Sequence, residues 1–414
     1  MCKIQPYNNI EYLSAKKKYR LADFLDAHWN EYIKSPKRFI REEEYKAVSA
    51  IRVCRTEVLG VEEYVCEECG EISKVYHSCK NRFCPTCSWN DTMKWAEKLK
   101  HKMFALKHRH IVLTLPHQIN GLLKLNEKKL LNMFMPIAAD VFKDWMHHKY
   151  NIKPRIISVL HTFGEKKNYH VHIHMIVSWG GINEETKILE EIKGEYVDYK
   201  FLQDKFRIKF EDKLVSLYER KDLKHHFNNK VSFLRFLKRI NQKNWVLHLE
   251  PPIDIPTQVI RYIGRYSKRA CISEYKITDI NGEYISFKYK DYKNKDIHGK
   301  AIEKELKLHY YDFFPRLLQH VPYKRFRIVR YYGHYAGASN IPEEYLYDPD
   351  QEEPTDEYQE QEKNKVADDF RICKTCNQYK KYCYTIFKKK DNELVKIQEM
   401  RLLRNNDFRE SFVA

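Results

Sequence analysis

Two cysteine pairs constrain this chain more than any other feature: Cys66-x2-Cys69 and, after an intervening loop, Cys84-x2-Cys87. Each pair lets two sulfurs converge on one ion at about 2.3 Å, and the loop brings the second pair across, so the spacing predicts a structural zinc held by four thiolates. Such a site is closed to substrate. His77 and Cys79 lie inside the loop and Cys54 just before it, which leaves open a second ion or a different choice of ligands. Lys74, Lys80 and Arg82 decorate the same stretch, and in that basic setting a zinc knuckle reads as a clamp for nucleic acid. A later pair, Cys373-x2-Cys376, with Cys383 nearby, supplies three sulfurs and falls one short of a second full site.

The charge balance points the same way. Lys plus Arg number 75 against 57 Asp plus Glu, a formal net charge of +18, which calls for a polyanionic partner. No GxxxxGK[ST] or GxGxxG run occurs, which excludes the phosphate-cradling loops of ATPases and Rossmann dehydrogenases. No uncharged apolar stretch approaches the roughly 18 to 20 residues that span a bilayer, and MCKIQPYNNIEY carries no cleavable leader. The expectation is a soluble protein of the cytoplasm, associated with the nucleoid, whose cysteines serve metal rather than disulfides.

Residues 169–177, YHVHIHMIV, place His170, His172 and His174 at period two, alternating with Val171, Ile173 and Met175. In a strand the imidazoles face one side and the apolar partners the other. Three ring nitrogens on one face can hold a divalent cation with coordination positions left open, as phosphoryl transfer requires. Strand register favours His170 as the third ligand, with His161 on a neighbouring strand, and Gln258, in reserve. Further on, Pro256 suits the first turn of a helix and TQVIRYIGRYSKRA continues it. Tyr262 and Tyr266, four apart, share one face, edged by Arg261, Arg265, Lys268 and Arg269. The cations can hold a phosphodiester while a phenolate attacks it.

With these residues in view, the chain resembles the rolling-circle transposases of the insertion-sequence ninety-one type, within the HUH endonuclease superfamily. The stretches that carry the resemblance are CRTEVLG, CEECG, SCKNRFCPTC, LTLPH, HTFGEKKNYHVHIHMIVSWGG, PPIDIPTQVIRYIGRYSKRACIS, FKYKDY and FRIVRYYG, in order over most of residues 50–335. The resemblance implies an enzyme that nicks one DNA strand with Mg²⁺ or Mn²⁺, forms a 5′-phosphotyrosine link and leaves a free 3′-OH. It puts the HUH pair on His172 and His174 and the nucleophiles on Tyr262 and Tyr266. The implied fold is α+β, a central antiparallel sheet with flanking helices. Two departures stand out: Phe83 where relatives have His before the third paired cysteine, and Glu62 where relatives have His after the glycines.

The expected organisation is an N-terminal helical arm (1–50), a small zinc-knuckle domain (51–103) and an HUH catalytic domain (104–275) with a charged insertion at about 180–245. A basic C-terminal part of the catalytic region (276–341) carries an Asn281-Gly282 hairpin. An acidic linker (342–365) and a basic tail with CxxC (366–414) follow. Stretches such as 224–244 and 323–335 interleave Lys and Arg with aromatics, a mixture suited to single-stranded DNA, where cations follow phosphates and rings stack on bases. The partners expected are therefore a single-stranded or hairpin transposon end and a target DNA. A plasmid replication initiator or relaxase would use the same chemistry. A zinc-dependent DNA-binding protein without catalysis would leave the histidine register and the tyrosine spacing unexplained.

Overall fold

A computed structural model of the chain describes residues 19–194, 196–242, 245–253, 270–336, 341–348, 371–388 and 394–397. In chain order the helices are α1 Leu21–Tyr32, α2 Glu42–Arg52, α3 Pro85–Lys100, α4 Asn120–Leu125, α5 Glu127–Tyr150, α6 Tyr199–Glu219, α7 Lys230–Asn241 and α8 Tyr310–Leu318. The strands are β1 Val61–Val65, β2 Ile72–Tyr76, β3 His108–Thr114, β4 Ile152–Lys153, β5 Arg155–Phe163, β6 Tyr169–Ser178, β7 Gly180–Asn183 and β8 Leu189–Glu191. They continue with β9 Val246–Leu249, β10 Ile277–Asn281, β11 Tyr284–Lys295, β12 Ala301–His309, β13 Val329–Gly333, β14 Lys381–Lys388 and β15 Leu394–Ile397.

The five-stranded sheet β13-β5-β6-β3-β9 is antiparallel throughout, and β6, the histidine strand, lies at its centre. Alternation gives β6 two different faces. Val171, Ile173, Met175 and Val177 enter the main core with α5, α6 and α7, whereas Ile176 on the histidine face packs with Ala96 and Leu99 of α3. The helix that carries Cys87 in its first turn therefore covers one end of the face that carries the imidazoles. The α+β class, with an antiparallel sheet and flanking helices, is what the sequence led us to expect.

The charged stretch 180–245, which the sequence leaves open to a helical insertion or a charged excursion, carries two packed helices. Leu202, Phe206, Phe210, Leu214 and Leu217 form one buried stripe of α6, and Phe233, Phe236, Leu237 and Ile240 do the same for α7. Lys, Glu and Asp on the opposite faces dilute that periodicity in the sequence. The N-terminal helices are likewise docked by their apolar stripes, Leu21, Phe24, Leu25 and Trp29 of α1 and Ala47, Val48 and Ile51 of α2. They share a second core with α8, the β10–β11 hairpin, Phe83, Cys54, Cys84 and Cys87. Glu44 in α2 is fully buried and ionically satisfied: its carboxylate accepts from the Arg41 backbone N–H at 3.0 Å and from the guanidiniums of Arg38 and Arg41.

The expected hairpin forms, with Asn281 paired to Tyr284 and Gly282 at φ +54° in the turn. The expected acidic linker begins packed: Leu346 bridges to Phe104, and Tyr345 and Leu346, with Ile341 just before the stretch, lie on Phe104, Leu106 and Ile182. Its remainder from 349 lies outside the described residues. Within the CxxC tail the described residues are paired: β14 runs along β1 in a sheet of order β15-β14-β1-β2. No described helix is long and apolar enough to cross a membrane.

Candidate catalytic and metal centres

On the histidine face, β5 and β6 run antiparallel with His161 opposite His172. His161, His172 and His174 bring one ligand nitrogen each to within 4.8 Å of one another. Their ring centroids are 5.2 Å (161–172), 4.7 Å (161–174) and 4.9 Å (172–174) apart. His170 is not in the group. Its ring lies 5.1 Å from that of His172, one step further along β6, where a bulge between His161 and Phe163 breaks the register with β5. The third nitrogen comes across the sheet from the neighbouring strand, so His161, held in reserve from the sequence, takes the place expected for His170.

The tautomers follow from the partners. His172 Nδ1 lies 3.1 Å from the carbonyl of His170 and donates to it, which leaves Nε2 as a lone-pair donor. His110 on β3 has Nδ1 3.3 Å from a Glu250 carboxylate oxygen and Nε2 2.9 Å from His174 Nδ1. A His110 that donates to Glu250 accepts from His174, and His174 then also offers Nε2. Burial holds His172 and His174 well below the usual histidine range, and neighbouring imidazoles, His161 first, push both further down. Both rings are therefore neutral at pH 7, the state a ligand needs. The Glu250–His110 pair was missed from the sequence. The only signal for it is the alternation of His108 and His110 in HRHIVLT.

Tyr262, Tyr266, Gln258, Arg261, Arg265, Lys268 and Arg269 lie outside the described residues. The residues on either side are pinned. Ile253 exchanges two backbone hydrogen bonds with His108, at 3.1 and 2.8 Å, and the Ala270 N–H donates to Ser88 Oγ in α3 at 3.1 Å. Glu274 accepts from the Leu21 N–H and the Thr86 hydroxyl, both at 3.2 Å, which ties the same flank to α1 and α3. A cleft beside His161 is lined by Arg82, Glu127, Thr162, His320 and Tyr323, among others.

The four paired cysteines do not form one site. Cys84 and Cys87 group with Cys54 and Cys79, and Cys66 and Cys69 group with Cys373 and Cys376. The cause is the β1–β2 hairpin. Cys66 and Cys69 form its tip, while Cys54 and Cys79 flank its base, and a five-residue strand separates the two by about 15 Å. In the first cluster the sulfurs of Cys54 and Cys87, Cys79 and Cys87, and Cys84 and Cys54 lie 3.6, 3.6 and 3.7 Å apart. A zinc tetrahedron with arms of about 2.3 Å has edges of about 3.8 Å, so the four thiols are spaced for the ion. Arg82 in the same loop donates to the Phe326 carbonyl at 2.8 Å, binding the module to the stretch that leads into β13.

Comparison with known proteins gives a consistent picture. Residues 156–342 match a family model described as "Putative transposase", and residues 24–115 match one described as "Transposase zinc-binding domain". The chain is 28% identical over 296 residues to the y4qJ protein of Sinorhizobium fredii, which bears the first of those descriptions, covering 70% of this chain and 73% of that one. It is 26% identical over 310 residues to the transposase for insertion sequence element IS801 of Pseudomonas savastanoi pv. phaseolicola, covering 72% and 71%. No solved structure matches.

Proposed function

The chain belongs to the IS91-type transposases, and from that premise we propose that it nicks and rejoins single-stranded DNA at transposon ends through a covalent 5′-phosphotyrosine intermediate. The observation that carries this reading is the convergence of His161, His172 and His174 on one face of the central sheet. These three residues would hold the divalent cation, and a cation there polarises the non-bridging oxygens of a phosphodiester and offsets the charge that builds up on them. Three neutral imidazoles suit Mn²⁺ better than Mg²⁺, which prefers oxygen ligands.

The rest of the chemistry falls to the chain. Arg261, Arg265, Lys268 and Arg269 hold the phosphate, and the phenolate oxygen of Tyr262 or Tyr266 attacks phosphorus. The P–O3′ bond breaks, the 5′-phosphate stays on the tyrosine, and the departing 3′-oxygen takes up a proton. The reverse attack by a 3′-OH rejoins the strand and frees the phenol. The bonds of Ile253 to His108 at the start of β3, and of Ala270 to Ser88 of α3, tie the residues that flank the tyrosine-bearing segment to elements that frame the histidine face.

The test is single-strand cleavage with Mn²⁺ by full-length protein. His161→Ala, His172→Ala and His174→Ala should each reduce the rate at least about 100-fold, whereas His170→Ala should cost much less. Equal loss at His170 and none at His161 would restore the three-on-one-strand arrangement and overturn the cross-strand centre.

A further inference from the structure

We propose that Cys66, Cys69, Cys373 and Cys376 hold a second structural zinc ion, which clasps the C-terminal segment of the chain onto its N-terminal zinc-binding domain. The matched family regions end at residues 115 and 342 and so leave Cys373 and Cys376 without a role. The four sulfurs come within 4.8 Å of one another, and Cys69 and Cys373 are 3.5 Å apart, near the edge of a zinc–thiolate tetrahedron.

A second observation, independent of the sulfur distances, is that the two halves of the site have the same backbone. In the first, the Gly70 N–H donates to the Cys66 carbonyl at 2.9 Å and the Cys66 N–H to the Glu71 carbonyl at 2.9 Å. In the second, the Asn377 N–H donates to the Cys373 carbonyl at 2.9 Å and the Cys373 N–H to the Gln378 carbonyl at 2.8 Å. Gly70 and Asn377, each directly after the second cysteine, both take positive φ, +75° and +57°, the region that glycine and asparagine tolerate. Each knuckle is closed by a strand pair at the same spacing, Val65 with Ile72 and Ile372 with Tyr379. A tetrathiolate site is ordinarily built from two such turns. Here they stand at opposite ends of the chain, and neither can fill four coordination positions alone.

The surroundings fit a structural ion. The strand that follows the second knuckle, β14, pairs with β1, the strand that precedes the first, from Val61–Ile386 to Val65–Lys381. Glu71 accepts from the Cys373 thiol at 2.9 Å and from Lys380 Nζ at 2.8 Å, so its carboxylate keeps a cationic partner when the thiols ionise. Lys381 Nζ reaches Glu67, between the first two cysteines, at 2.8 Å. With the four ligands complete, the ion has no open position and its role is to fasten, not to catalyse.

Zinc content of the full-length protein by elemental analysis tests the assignment. Wild type should carry two zinc ions per chain. The Cys373→Ser/Cys376→Ser and Cys66→Ser/Cys69→Ser variants should each carry one, and the variant lacking all four cysteines should still carry one, because either pair removes the same ion. Two ions retained without Cys373 and Cys376, or a single ion in wild type, overturns the proposal. Should the variants not fold, maleimide mapping of the wild type decides. Cys66, Cys69, Cys373 and Cys376 should be protected together and released together by a chelator, and alkylation of Cys373 and Cys376 while Cys66 and Cys69 stay protected contradicts the shared ion.

Discussion

Replacing His110 by Phe separates the two things this residue does: filling space behind the three-histidine cluster and ordering the proton on His174. His110 is only 3% exposed and stacks against His174, with ring centroids 5.2 Å apart and planes 9° from parallel, so a ring of similar size keeps the packing. What goes is the acceptor 2.9 Å from His174 Nδ1 and the link from there to Glu250. His174 then loses the bond that would present Nε2 to a cation held by the cluster. Partners of this kind are worth about 10- to 100-fold in metal affinity, or about 1.4 to 2.8 kcal/mol. The full weakening is expected for His110→Phe. Glu250→Gln, which can still accept the His110 proton but carries no charge, should lie near the lower end. Mn²⁺ titration by calorimetry on protein of unchanged zinc content measures both. A His110→Phe protein that binds Mn²⁺ within twofold of wild type refutes the tautomer argument.

Three further outcomes follow from other parts of the molecule. Ser88→Ala deprives the buried Ala270 N–H of its acceptor at 3.1 Å and should lower the unfolding free energy by about 1 to 3 kcal/mol in urea titration, whereas an unchanged midpoint would show that this tie carries nothing. Cys54→Ser should cost one zinc per chain and lower the calorimetric melting temperature, because its cluster shares a core with α1, α2 and α8; zinc content and melting equal to wild type would remove the cluster from the account. His108 and His320 are buried uncharged, and burial, the main cause, pushes each down to about 3. The unfolded chain takes up these protons below about pH 6.5 and the folded chain does not until about pH 3, so stability should fall as pH drops through that window. Denaturation midpoints at pH 7 and 5.5, with zinc content checked, should show a smaller drop in His108→Gln than in wild type, and equal drops would contradict the assignment.

The parts of this molecule legible in sequence are those set by local periodicity. The two-residue alternation in β6 specifies both its strand and which side carries the imidazoles, because a pleated backbone leaves no other choice. The Asn281-Gly282 turn specifies its hairpin in the same way. What was hidden is long-range pairing. The spacing of Cys66, Cys69, Cys84 and Cys87 suits a single zinc, and only the β1–β2 hairpin, by carrying one pair to its far tip, shows why the quartet divides. The partners of Cys66 and Cys69 lie more than 300 residues away. That His161, and not His170, groups with His172 and His174 has the same origin, since strand order places β5 beside β6 and the bulge near Phe163 takes His170 out of register. The α6 stripe was obscured by composition, its spacing of mostly four residues being interleaved with charge.

In the proposed reaction a tyrosine of the segment between Ile253 and Ala270 becomes bonded to DNA at the histidine cluster. The direct measurement is mass spectrometry of the tryptic peptide left attached to a single-stranded substrate after cleavage with Mn²⁺. Arg261, Arg265 and Lys268 bound two separate peptides, one carrying Tyr262 and the other Tyr266, so the map also distinguishes the two phenols. A phosphorylated nucleotide is expected on one of these peptides, and none in the Tyr262→Phe/Tyr266→Phe protein. An adduct mapped to any other residue, or one that persists in the double variant, would contradict that reaction.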